Sequence, residues 1–140
     1  MHYLDTSVLT SYYCAEERSA RVQSLLSSMK TPSISPLVEV EFHCAVARRV
    51  RAGAMDPSAA LRIFSEFRNH LAEPRFRVVV IQGADYAMAR EWIAQLATPL
   101  RVLDAIHLAT AFSNGLTLVT ADKDLAACAR HFGVKSKVIS

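Results

Sequence analysis

Met1-His2-Tyr3-Leu4-Asp5-Thr6-Ser7 opens the chain with a short apolar run that ends on a carboxylate and is followed by two hydroxyl residues. A carboxylate closing an apolar strand is costly unless something pairs with it. Thr6 and Ser7 can each cap a following helix, so capping alone does not account for Asp5. The pattern returns late in the chain, where Leu116 to Val119 runs into Thr120-Ala121-Asp122. Two further short runs, Ser33 to Ser35 and Arg77 to Ile81, lie between, and Lys137 to Ile139 closes the series. Such runs alternating with longer helical patterns predict an α/β domain with a mostly parallel sheet.

The helical patterns fall at about Ser7 to Met29, Pro36 to Arg51, Pro57 to Leu71, Ala84 to Leu96, Leu103 to Ser113 and Leu125 to Phe132. Ser35-Pro36 and Asp56-Pro57 each place a capping side chain before a proline at the first helical position. With 140 residues and neither repeat nor linker, a single domain over residues 1–140 with one core is expected. Hydrophobic residues make up 51% and charged residues 21%, a balance that excludes a disordered chain. The apolar runs fall far short of the roughly 20 residues that span a membrane, and the first residues lack the form of a secretory signal. A cytoplasmic location is therefore expected. Cys14, Cys44 and Cys128 are too widely spaced for a paired zinc motif and odd in number, so they read as small buried apolar residues. The net charge of +3 leans weakly toward an anionic partner.

Ligands of open α/β sheets gather outside the carboxyl ends of the strands, the edge that Asp5 and Asp122 occupy. Asp104 opens the helix beginning near Leu103, and Glu41 lies about one turn into the helix after Ser35-Pro36, so both face the same edge. Each acid alone also suits an ordinary cap or first-turn position. If all four meet, a pair at ~4 Å repels by about 4 kcal/mol at an effective dielectric of 20, so either a cation compensates or some acids stay protonated. Carboxylate oxygens without neighbouring Cys or His select Mg²⁺, with Mn²⁺ as alternative, over zinc. Glu39 and Glu41 lie about 200° apart on an ideal helix. Glu41 has the more apolar setting, among Leu37, Val38, Cys44 and Ala45, and is the one expected in the site. His43 and His107 read as ordinary polar or packing residues. No Gly-x-Ser-x-Gly elbow, Cys–His signature or Walker loop occurs.

Four blocks then stand in order: Tyr3-Leu4-Asp5-Thr6-Ser7, Val40-Glu41-Phe42-His43, Leu103-Asp104-Ala105-Ile106-His107-Leu108-Ala109 and Thr120-Ala121-Asp122-Lys123. Together they resemble PIN domains, most closely the VapC-type toxins of bacterial toxin–antitoxin pairs. The resemblance implies a five-stranded parallel sheet flanked by helices and a Mg²⁺- or Mn²⁺-dependent endoribonuclease. Its catalytic, metal-binding acids would be Asp5, Glu41, Asp104 and Asp122, supported by the hydroxyls of Thr6 and Thr120. It also implies an RNA substrate, an antitoxin that covers the acidic edge, and a homodimer or toxin–antitoxin hetero-oligomer. Val8, Leu9, Tyr12 and Tyr13 are the apolar residues expected near the covered edge. Arg48, Arg49 and Arg51 are candidates for RNA contact, while Arg68, Arg75 and Arg77 read as a solvated face. Tyr12, Tyr13, Phe64, Phe67 and Trp92 have the spacing of packed helix faces. The main alternative is a non-catalytic PIN-fold module that binds RNA or protein. A metal-dependent phosphatase or flap-type DNA nuclease is a further one, disfavoured for the phosphatase by the lack of Asp-x-Asp at Asp5.

Overall fold

The computed structural model describes residues 1–140. Five parallel strands, β1 (His2–Leu4), β2 (Ser33–Ile34), β3 (Arg77–Val78), β4 (Thr117–Thr120) and β5 (Ser136–Val138), form one sheet in the order β3-β2-β1-β4-β5. Seven helices flank it: α1 (Thr6–Tyr13), α2 (Ser19–Ser27), α3 (Pro36–Arg51), α4 (Pro57–Ala72), α5 (Gly83–Ala94), α6 (Val102–Ser113) and α7 (Lys123–His131). The alternation of runs predicts this α/β domain with a parallel sheet, and the five strands are those that the resemblance implies. No helix is long and apolar enough to cross a membrane.

β1 holds the centre because its side chains tolerate burial on both faces, with Tyr3 and Leu4 fully buried. The chain builds outward from β1 to β2 and β3 on one side, then returns to place β4 and β5 on the other. The order of strands thus reverses between β1 and β4, which is where an α/β sheet opens a crevice at its carboxyl edge. The edge strand β5 is exposed and carries Lys137, a charge that discourages further strand pairing. Val8, Leu9, Val38, Phe42, Phe67, Leu108 and Leu118 fill the main core, with Phe64 and Trp92 packed against it. A smaller cluster of Ala89, Ala105, Ile106 and Ala109 joins α5 to α6.

Two expectations are corrected here. The pattern from Ser7 to Met29 is two helices, broken where Cys14 turns extended at φ −102° and ψ 131°. The break has local and distant causes. Ser19 Oγ donates to the Cys14 carbonyl at 2.8 Å and accepts from the Glu16 amide at 3.0 Å. The Glu16 carboxylate turns to Ser11, to Arg18 at 3.4 Å and to Arg49 of α3 at 2.9 Å. Cys44 is exposed, unlike buried Cys14 and Cys128, because it lies on the outer face of α3.

Burial opposes ionisation of Glu16, but Ser11, Arg49 and Arg18 prevail and hold its carboxyl below the usual value of 4.5. A depressed carboxylate contributes stability above its unfolded value, and that contribution is lost as pH falls through the folded value. Glu16→Gln should therefore cost about 1 kcal/mol near neutral pH. Urea midpoints of the two proteins should converge as pH drops below 4.5. A gap that persists at pH 3 would mean that shape and not charge holds this corner.

Candidate active site

The centre of the site follows from sheet register. Leu4 pairs with Val119, and the Asp5 amide extends the ladder by donating to the Val119 carbonyl at 3.1 Å. The Asp5 side chain is thereby fixed at the carboxyl end of β1, beside the end of β4, and is 5% exposed. One of its oxygens, Oδ1, accepts from Ser7 Oγ at 2.5 Å and from the Val8 amide at 3.2 Å. Thr120 Oγ1 donates to the other, Oδ2, at 2.5 Å. The two hydroxyls also tie down the loop after β4, since Ser7 Oγ accepts from the Ala121 amide and Thr120 Oγ1 from the Asp122 amide.

Asp5 is thus itself the cap of α1, where the sequence suggested Thr6 or Ser7. Its extended backbone, φ −78° and ψ 172°, aims the carboxylate at the first-turn amides, whereas Ser7 already lies inside the helix. Asp122 caps α7, with Oδ1 accepting from the Asp124 amide at 2.9 Å and the Leu125 amide at 3.3 Å. Asp104 stands in the first turn of α6. Asp104 and Asp122 line a cleft of about 200 Å³ together with Arg101 and Asp124.

Glu41 comes from α3 and is partly buried. Its Oε1 accepts from Thr6 Oγ1 at 3.0 Å and from His107 Nε2 at 2.5 Å. The opposite edge of the His107 ring meets Tyr3 Oη at 2.7 Å, and Tyr3 Oη meets Ser35 Oγ at 2.8 Å. Tyr3, Ser35 and His107 are all buried. Glu39 lies elsewhere on the helix, and its carbonyl accepts from His43 Nδ1 at 2.6 Å.

Charge crowding is legible in the proton affinities. Burial pushes the Asp104 carboxyl up, His107 opposes, and the charges of Asp122, Asp5 and Glu41 push it further. Asp5 is raised by burial against its bonds from Ser7, Thr120 and Val8. Burial would raise Glu41 too, yet the bond and charge of His107 and the bond from Thr6 hold it below the usual carboxylate value. Burial also raises the Tyr3 phenol, which keeps its proton.

Asp104 therefore lies within electrostatic reach of Asp122, Asp5 and Glu41. As the side chains stand, no group of three or more His, Cys, Asp or Glu residues is arranged to hold a metal ion. Magnesium is commonly held by only one or two carboxylates and keeps several waters, so a closed protein cage is not required. The donor chemistry, carboxylate oxygens of which Asp104 is raised by burial and further by its acidic neighbours, fits Mg²⁺ or Mn²⁺.

Several residues play parts that the sequence did not assign. His107, read as a packing residue, bonds to Glu41, and Ser7, Tyr3 and Ser35 complete the supports. Spacing held a clue, because His107 is three residues from Asp104 and so shares its helix face. Val8 and Leu9 are fully buried, and Tyr12 and Tyr13 pack against the core, so none of them forms an exposed apolar edge. Arg49 is engaged by Glu16.

The PIN domain family matches residues 2–131. No curated protein sequence matches the chain. Among solved structures, FitAcB from Neisseria gonorrhoeae is similar at 22% identity and a TM-score of 0.73, covering 97% of this chain and 96% of that one. VapC20 from Mycobacterium tuberculosis, described as a sarcin-ricin loop cleaving toxin, is 20% identical with a TM-score of 0.73, covering 91% and 94%. VapBC2 from Rickettsia felis, bound to a DNA fragment from its promoter, is 17% identical with a TM-score of 0.72, covering 100% of both chains.

Proposed function

The chain belongs to the PIN domain family, and from that premise we propose that it is a metal-dependent endoribonuclease acting as the toxin of a toxin–antitoxin pair. The observation that carries this reading is that Asp104 and Asp122 line one cleft at the sheet edge where Asp5 is fixed beside the end of β4, with Asp104 raised by burial and further by the charges of Asp122, Asp5 and Glu41. Such convergence is electrostatically unfavourable unless a cation or proton joins it.

Asp5, Glu41, Asp104 and Asp122 would hold Mg²⁺ or Mn²⁺. A bound ion supplies an activated water and charge neutralisation on the phosphate, so no protein nucleophile is needed. The protein's part is placement. Ser7 and Thr120 fix Asp5, and Thr6 donates to Glu41. Arg101, in the cleft wall beside Asp104, offsets the repulsion between acidic site and phosphodiester. Arg48 stands seven residues beyond Glu41, two helical turns along the same face, and is exposed.

The deciding experiment is incubation of total RNA with purified protein and Mg²⁺, with and without chelator. Cleavage that the chelator abolishes is expected; no cleavage under either divalent ion would favour the non-catalytic binding module. Arg48→Ala should weaken RNA binding and lower the slope of log affinity against log salt by about one, leaving turnover at saturating RNA nearly unchanged. An unaltered slope would remove Arg48 from the RNA path.

The toxin reading draws support from neighbours that are themselves toxin–antitoxin complexes or toxins. On this chain, exposed Val40 is adjacent in sequence to Glu41, and exposed Val102 and Leu103 precede Asp104, apolar residues that an antitoxin segment with apolar anchors and a basic side chain would suit. The expected setting is cytoplasmic, as a homodimer or as a hetero-oligomer with antitoxin. Co-expression of the neighbouring reading frame should relieve growth inhibition.

A further inference from the structure

We infer that His107 is the positioning residue for Glu41: through Nε2–H it holds the carboxylate toward the metal site, and Tyr3 and Ser35 hold the ring in the orientation that can do so. The inference rests on the proposed metal site and extends it to a side chain with no assigned part in metal binding.

Hydrogen bonds link these side chains in series. Glu41 Oε1 accepts from Thr6 Oγ1 and faces His107 Nε2. A lone pair on Nε2 facing that carboxylate at 2.5 Å would be repulsive, so Nε2 carries hydrogen. The other ring nitrogen, Nδ1, meets the Tyr3 hydroxyl at 2.7 Å. Tyr3 Oη is also hydrogen-bonded to Ser35 Oγ at 2.8 Å. Ser35 Oγ in turn accepts from the Val38 amide as the cap of α3, the helix that carries Glu41. The chain of bonds therefore begins and ends on α3, passing through β1 and α6.

This closed path suits positioning. Tyr3 is fully buried and His107 is 2% exposed, so water does not compete for these bonds. A glutamate has three rotatable bonds, and without a partner its carboxylate would sample several rotamers. Thr6 and His107 approach the same oxygen, Oε1, which leaves Oε2 available to a cation. Partners that orient metal ligands typically influence affinity or activity by about 10–100-fold.

The test compares His107→Leu, His107→Gln and Tyr3→Phe with the wild type, using three readouts. Mn²⁺ binding followed by electron paramagnetic resonance should weaken about 10–100-fold in His107→Leu. His107→Gln, whose amide offers an N–H near the place of Nε2, should recover most of that loss, and Tyr3→Phe should fall between. In RNA cleavage the loss should appear in kcat, with KM for RNA little changed. Nitrogen-15 resonances of the wild-type ring should show Nε2 protonated without metal.

Wild-type affinity and kcat in His107→Leu would overturn the inference while leaving the nuclease reading intact. So would an unprotonated Nε2 in the wild type, a readout independent of the metal and of how well His107→Leu folds. A wild type that neither binds Mn²⁺ nor cleaves RNA would remove the proposed function and the inference with it.

Discussion

Asp5→Asn is expected to lose RNA cleavage by at least about 100-fold, equivalent to about 2.7 kcal/mol of transition-state stabilisation, while remaining folded. The carboxylate is the most enclosed of the four acids, and Ser7, Val8 and Thr120 all donate to it. An asparagine oxygen can still accept from Ser7 and Val8, and its amide can donate to the Thr120 hydroxyl, so the scaffold survives. What disappears is one negative charge at the head of β1. Stability should respond in the direction that burial dictates. Asp5 is raised above its usual 3.8, so its ionised form opposes folding when no cation is bound. In chelator near pH 7 the variant should melt above the wild type, and the difference should close as pH falls through the raised value toward 3.8. Added Mn²⁺ at about 100 times its dissociation constant should stabilise the wild type by about 2.7 kcal/mol and the variant by far less. Equal cleavage by the two proteins would dismantle the site.

The same position illustrates what a sequence can disclose. Asp5 and Asp122 are conspicuous because each follows an apolar run, and parallel topology sends such run ends to one edge. The five strands were legible for that reason. Arg77 to Ile81 reads as a longer strand than the two-residue β3 because β3 is an edge, pairing only where β2 offers Ser33 and Ile34. The break between α1 and α2 was not legible, since it depends on Glu16 meeting Arg49 across 33 positions. His107 was undervalued for the same physical reason. Its partners Tyr3 and Glu41 lie 104 and 66 positions away, and no local pattern announces a bond that only the packed fold creates. Capping followed a subtler rule: three candidates in a row, Asp5, Thr6 and Ser7, are separated only by backbone angles.

Glu41→Gln should reduce Mn²⁺-supported kcat/KM by about 100-fold or more, whereas Glu39→Gln should leave it within about twofold. The helix register that distinguished them by their neighbours puts Glu41 against Thr6 and His107. A glutamine there keeps an oxygen able to accept both bonds and nearly the same volume, so it isolates the charge as the missing element. Their stabilities should move in opposite directions, which gives a second readout independent of catalysis. Glu41 is held below its usual 4.5, so its ionised form supports the fold above that value, and Glu41→Gln should lower the metal-free melting temperature near neutral pH. That loss should vanish as pH falls through the depressed value. Glu39 is raised, chiefly by burial, so Glu39→Gln should be neutral or slightly stabilising at pH 7 and converge on the wild type toward pH 4.5. Circular dichroism should show both variants folded. If Glu39→Gln carried the catalytic loss and the depressed-carboxylate signature, α3 would have to be rotated by about half a turn, and Glu41, Thr6 and His107 would no longer belong to one site.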